Sequence, residues 1–232
     1  MRHRKELRSE TTLIEKIYLV RHGHVAFEDN ITRCIGRTDL PLSGAGIEEA
    51  ETLNKYFEDL ELTRVFSSPL LRAKETAEII GGTNSTLEII DDLQEMDMGA
   101  WENQPLKSIK KDLTTEPEGG ETRVQALSRM KRAMNQVAQT YGEEACVVVS
   151  HASMITTFIA DLLGIPLEIS RSLPQSYGSV SELVWDGSKF LVKSVGQMPE
   201  KFPSLAKVEK IAKHYGMPEN VYRHGQAVAE LA

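Results

Sequence analysis

Two short apolar runs, each ended at once by a histidine, constrain this chain more than any other feature. Ile17-Tyr18-Leu19-Val20 leads into Arg21-His22-Gly23, and Cys146-Val147-Val148-Val149 leads into Ser150-His151-Ala152. Apolar runs of this length, bounded by polar residues or a Gly-containing turn, read as buried strands of a parallel sheet. Such strands deliver the following residues to the C-terminal edge of the sheet, where open α/β folds bind ligands. A third strand, Thr63-Arg64-Val65-Phe66, precedes a helix start in which Ser68 reads as the N-cap and Pro69 as the first helical residue. Arg72 then falls in the first helical turn, near the same edge.

The alternation of strands and helices predicts a three-layer α/β/α sandwich with a mainly parallel central sheet. Ser43-Gly44-Ala45-Gly46 opens a helix with Ile47, Ala50, Leu53, Tyr56 and Phe57 on one face. Residues 121 to 141 carry a second apolar stripe of Val124, Leu127, Met130, Met134, Val137 and Ala138. Residues 153 to 163 form another helix, ended by Gly164 and Pro166, and residues 179 to 184 and 190 to 195 flank Asp186-Gly187 as a hairpin. The reading divides the chain into a charged N-terminal extension (1–15), one α/β domain (16–197) and a helical C-terminal extension (198–232).

The residues gathered at the sheet edge suit chemistry at phosphorus. A neutral imidazole, with an unperturbed pKa near ~6.5, is a nucleophile at physiological pH. Arg21 beside His22 is a permanent cation that can grip a phosphoryl group through two parallel hydrogen bonds. Arg72 offers a second such grip; its bland alternative is a surface arginine paired with Glu75 or Glu78. His151 reads either as a phosphate contact or as a core histidine that orients its neighbours.

In six stretches the chain resembles the histidine phosphatase superfamily, the phosphoglycerate mutase-like phosphatases. They are Leu19-Val20-Arg21-His22-Gly23; Gly36-Arg37-Thr38-Asp39-Leu40-Pro41-Leu42-Ser43 with Gly46; residues 67 to 77; residues 93 to 102; Gly120-Glu121-Thr122; and Val149-Ser150-His151. They occur in the family's order, and the second stretch is nearest to the α-ribazole phosphatase-like branch. The resemblance implies a metal-independent phosphomonoesterase that needs no cofactor and acts on a small phosphate ester such as α-ribazole phosphate. In it His22 accepts the phosphoryl group, while Arg21, Arg72 and His151 surround its oxygens. Glu95 is the acid that protonates the leaving alkoxide, with Asp97 and Glu102 as rivals. Gly23, His24, Arg37, Thr38 and Ala152 complete the expected substrate contacts. A mutase of the phosphoglycerate type and a non-catalytic phospho-ligand-binding module are the alternatives.

Departures from the family pattern bear on substrate preference. The second residue after the nucleophile is commonly Glu or Gln, whereas here it is His24, either a donor to substrate or a loop histidine facing water. The family's asparagine in this loop has no clear counterpart among Glu28, Asp29 and Asn30. Mutases carry a longer insertion after the stretch ending at Glu102; here only residues 103 to 119 intervene, with Lys107, Lys110 and Lys111, as expected of an open phosphatase site. Beyond residue 198, the stretch from Met217 to Ala232 resembles the first helix of an HD-type metal-dependent phosphohydrolase. His224 would be its first metal ligand, but no His-Asp dipeptide follows, so the competing reading is a packing or partner helix.

Composition fits a cytoplasmic enzyme. With 27 basic against 34 acidic residues and a formal charge of −7, the chain lacks the basic balance of a nucleic-acid binder. No run approaches the roughly 18 apolar residues of a membrane span, and the N-terminus lacks the apolar core of a secretion signal. Cys34 and Cys146 match neither a disulfide framework nor a metal-ligand spacing. A homodimer is compatible with this reading.

Overall fold

The computed structural model describes residues 15–27, 29, 31–60, 62–109, 115–140 and 145–199. Readings made on the N-terminal extension, on Glu28 and Asn30, on Lys110 and Lys111, and on the tail from residue 200, His224 included, fall outside these residues. Six strands form one sheet: β1 (Glu15–Arg21), β2 (Arg64–Ser67), β3 (Thr86–Ile89), β4 (Cys146–Ser150), β5 (Val180–Trp185) and β6 (Phe190–Val192). Their order is β3-β2-β4-β1-β5-β6. The first four run parallel; β5 runs antiparallel to β1, and β6 turns back antiparallel to β5.

Side chains alternate across a strand, so each parallel strand feeds two cores. Tyr18 and Val20 pack with Val65, Val147 and Val149 against Leu53, Phe57, Ala73, Ala77 and Ile80, the buried side of α1 (Gly44–Tyr56) and α2 (Leu71–Gly81). Ile17, Leu19, Phe66 and Val148 face the other way. They meet Met130, Met134 and Val137 of α3 (Arg123–Thr140) and Ile155, Phe158 and Ile159 of α4 (Ala152–Leu163). The expected α/β/α sandwich is therefore present.

The register fixes the functional edge. Arg21 of β1 lies opposite Ser150 of β4, and the N–H of His22 donates to the carbonyl of Ser150 at 3.1 Å. The two strands end in step, so His22 and His151 emerge side by side.

The structure corrects several local readings. On α1 the buried stripe is Gly46, Ala50 and Leu53, continued by Phe57, at helical spacings of four, three and four. Ile47 and Tyr56, one residue off that stripe, are 44% and 50% exposed. Gly46 takes the inward place because the start of α1 packs backbone to backbone on the loop after His22: a Cβ on Gly46 would lie 2.1 Å from the carbonyl oxygen of His24. On α3 it is Arg123 that turns inward, held by Glu116 and the carbonyl of Thr115, and Val124 is 67% exposed. The N-terminus of α3 carries a reciprocal cap. Thr122 Oγ1 accepts from the N–H of Gln125, and Gln125 Oε1 accepts from the N–H of Thr122.

Helix α2 starts at Leu71 rather than at Pro69. Asp39, 32 residues earlier, accepts the Leu71 N–H at 2.6 Å, doing the work assigned to Ser68. The hydroxyl of Ser68 accepts the N–H of Leu70, just ahead of the helix, and also reaches His151 in the site.

Candidate active site

Four elements aim their ends at one place. His22 and His151 follow β1 and β4, Arg72 is the second residue of α2, and Glu95 lies in the loop between β3 and α3. All four side chains are buried. The rings of His22 and His151 stand 5.0 Å apart, centre to centre.

The protonation of His22 follows from its partners. Arg72 Nε can only donate, and it meets His22 Nε2 at 3.2 Å, so Nε2 carries a lone pair. The ring proton is then on Nδ1, which donates to the carbonyl of Gly23 at 2.7 Å. Burial, and then the charges of Arg72 and Arg21, hold the imidazole pKa well below its usual value. His22 thus presents an uncharged, oriented nitrogen. His151 is kept neutral in the same way, by burial and then by Arg72 and His22. Its Nε2 shares a hydrogen bond with Ser68 Oγ at 2.8 Å, and that hydroxyl also accepts the N–H of Leu70. The other ring nitrogen, Nδ1, is a buried atom with no partner among the described residues.

The guanidinium groups are positioned by carbonyl oxygens. Arg72 donates to Thr38 O at 2.9 Å and to Gly36 O at 2.7 Å. Arg21 donates to Gln175 O at 2.6 Å and stacks on Tyr177, 3.7 Å from the ring centre. Its buried Nε has no partner among the described residues. Burial lowers the pKa of both guanidinium groups, yet arginine keeps its charge in proteins. Neither has a carboxylate bonded to it.

Glu95 is the one carboxylate in the cluster. Oε1 accepts from Met96 N at 2.8 Å and Oε2 from Ser153 N at 3.3 Å, while burial raises its pKa above the ordinary carboxyl range. Its two rivals have other duties. Glu102 accepts from the N–H groups of Gly36 and Thr38 and from the Thr38 hydroxyl, pinning the loop that holds Arg72. Asp97 accepts from the N–H of Gly99. Glu75, a suggested partner of Arg72, instead accepts from the N–H of Leu42.

The remaining expected contacts divide. Gly23 gives its N–H to Thr76, and a Cβ on it would come within 2.5 Å of Gly46 O. Ala152, the first residue of α4, lines the main cavity with Ser153. Thr38 acts on Arg72 through its carbonyl rather than through its side chain. His24 bonds Ser43 Oγ at 2.9 Å and meets the edge of Tyr177, so it borders the site beside that ring. Arg37 is not brought in: it faces Asp97 and Glu121 and lines a separate surface cleft.

The cavity beside the cluster measures about 590 Å³, and its lining includes Arg21, Glu95, Ala152 and Ser153 together with Trp101, Leu106 and Arg171. Sequence reasoning missed Arg171, Gln175 and Tyr177. They come from the irregular segment before β5, which has no periodicity to mark a facing side. Among the described residues no group of three His, Cys, Asp or Glu side chains converges as a metal site, and no helix is long and apolar enough to cross a membrane.

This arrangement has relatives. Residues 17–197 match the family described as the histidine phosphatase superfamily (branch 1). A protein of Yersinia pestis named "Probable phosphoglycerate mutase GpmB" is 28% identical over 215 residues, covering 84% of this chain and 99% of the relative. The solved structure of Bacillus stearothermophilus YhfR superposes with a TM-score of 0.72 at 28% identity, over 80% of this chain and 100% of that one. The alpha-ribazole phosphatase from Shigella flexneri shares the fold, with a TM-score of 0.68 at 22% identity over 79% and 96% of the two chains. The family match ends where the described domain ends and gives no support to the HD-like reading of the tail. With its family match spanning both strand-end histidines and the loops between them, the chain belongs to branch 1 of the histidine phosphatase superfamily.

Proposed function

We propose that the protein is a phosphomonoesterase that hydrolyses a small phosphorylated metabolite through a phosphohistidine at His22. The observation that carries this reading is the state of His22: a buried, neutral ring whose proton is tied to Gly23 O, so that Nε2 offers its lone pair between two arginines. Attack by Nε2 forms the N–P bond as the ester P–O bond breaks. The negative charge of the transferring group meets Arg21, Arg72 and His151, groups already in place. Glu95, whose pKa burial raises, serves as the acid that gives its proton to the leaving alkoxide. As a carboxylate it then takes a proton from the water that attacks phosphorus, returning neutral His22 and free phosphate.

Incubation with labelled substrate and a quench at neutral or alkaline pH tests this chemistry. The expected adduct is acid-labile and base-stable, maps to His22 and is lost in His22→Ala. Near-normal turnover by His22→Ala would overturn the reading. The name of the GpmB relative favours a second one, phosphoryl transfer of the mutase type. Supplied with phosphoglycerate, a phosphatase releases inorganic phosphate, whereas a mutase returns the positional isomer. The short segment of residues 103–119 favours release.

A further inference from the structure

The cavity is larger than a phosphoryl group needs. Ligand pockets run to about 300–1,000 Å³, so 590 Å³ accommodates a whole small metabolite, and the lining away from the phosphoryl-binding groups must meet the rest of it. That lining holds one guanidinium without an assigned task. Arg171 lies in the turn Leu167–Ser172, its guanidinium carbon 5.2 Å from the centre of the Trp101 ring. Burial lowers its pKa, as does the nearby positive charge of Arg123. It forms no hydrogen bond or ion pair with the described residues, and its guanidinium lies over the Trp101 ring at a cation–π distance. Arg33, the other cation on this side, is already bonded to Asp29 and to Asn103 O. Charged groups withdrawn from water are normally paired. Arg171 faces a cavity in which Glu95, the one lining carboxylate among the described residues, is pushed toward its neutral form.

We propose that Arg171 and Trp101 form a second anion subsite that binds a carboxylate on the leaving-group end of the substrate. The balance of charge favours a carboxylate. Two arginines and two histidines serve the phosphoryl end, whereas a single guanidinium matches a monoanion. The planar guanidinium fork of an arginine can meet both carboxylate oxygens at once. Leu106, Ile109 and Leu173 line the same cavity and add apolar surface. The substrate class is thus a small phosphorylated acid, and this assignment rests on the phosphatase reading of the same cavity.

The experiment compares substrates that differ at one group: 3-phosphoglycerate against glycerol 3-phosphate, and O-phosphoserine against phosphoethanolamine, with p-nitrophenyl phosphate as reference. The wild-type enzyme is expected to prefer the acid in at least one pair. Arg171→Gln should reduce that kcat/KM preference by roughly 10- to 100-fold, the worth of charge-assisted hydrogen bonding. Turnover of p-nitrophenyl phosphate should stay within about threefold of wild type, showing that the variant is folded and its chemistry intact. Arg171→Lys should keep part of the preference. Equal loss on every substrate would make Arg171 structural, and the absence of a preference for either acid in the wild type would refute the subsite. If p-nitrophenyl phosphate itself is not hydrolysed, the phosphatase reading fails rather than the subsite alone; binding of 3-phosphoglycerate against glycerol 3-phosphate, measured calorimetrically in wild type and Arg171→Gln, then decides the subsite separately.

Discussion

Replacing Glu95 with Gln keeps the side chain's shape and removes its dissociable proton. The amide oxygen can take over the 2.8 Å bond from Met96 N, leaving the NH₂ group opposite Ser153 N in place of a long 3.3 Å contact. Losing one weak hydrogen bond costs about 1 kcal/mol, too little to unfold a domain of ordinary stability. The chemical loss is larger. General acid help is worth roughly 10² to 10⁴-fold, or about 3–5 kcal/mol of barrier, and it matters when the departing oxygen is basic. Single-turnover release from an alkyl phosphate should therefore slow by that factor. The burst of p-nitrophenolate, which leaves without a proton, should change by less than about tenfold, and the later hydrolysis of the intermediate should slow. The pH profile supplies a second reading. The active form of Glu95 is the protonated one, and burial raises its pKa, so kcat/KM for alkyl esters should fall as pH rises through a value above the ordinary carboxyl range. Glu95→Gln should lack that limb. Equal slowing of both substrates, with the limb unchanged, would remove Glu95 from the role of acid.

Other perturbations test the frame around it. Folding holds His22 and His151 neutral, so the unfolded chain takes up protons that the native state refuses: stability should be full above about pH 6.5 and fall as pH drops below it. The urea midpoint of His22→Gln/His151→Gln should then depend less on pH between 7.5 and 5 than that of wild type; an equal dependence would show that other groups carry it. A Cβ on Gly23 meets Gly46 O at 2.5 Å, and Gly23→Ala should cost about 1–3 kcal/mol in denaturant unfolding. Gly44→Ala, with no atom within 4 Å of its Cβ, is the control and should cost far less. Glu102→Ala frees the loop that carries Gly36 O and Thr38 O, and should lower kcat by roughly 10²-fold through displacement of Arg72, without the leaving-group dependence of Glu95→Gln. A chain ending at residue 197 should retain turnover, because every proposed catalytic group precedes that point.

What the sequence made legible was what repeats locally. Val147-Val148-Val149 and Tyr18-Leu19-Val20 announce buried strands by being apolar on both faces, and the residues after them inherit their place at the sheet edge. Arg72 was readable from the strand and helix start that precede it, whereas Glu95 was readable only through the family resemblance. Pairings across the chain were not legible. Nothing in Ser67-Ser68-Pro69 signals that Asp39 will cap α2 and free Ser68 for His151. Arg37 sits between two residues that do matter to Arg72, but successive residues of a loop point in different directions, and its side chain leaves for Asp97 and Glu121. Arg171 lies in a short 3-10 turn, where neither a period of 3.6 nor of 2 indicates which side faces a cavity.

The clustering of Arg21 and Arg72 around uncharged imidazoles has a consequence for the end of the reaction. The same donors that accept a phosphoryl group from the ester also fit the orthophosphate left behind, and no bonded carboxylate competes with it for either guanidinium. Escape of the inorganic product, rather than breaking of the ester, is then a candidate bottleneck of the cycle. Turnover by such an enzyme would track the phosphate level of its surroundings, slowing as the product accumulates and making the catalyst sensitive to its own output.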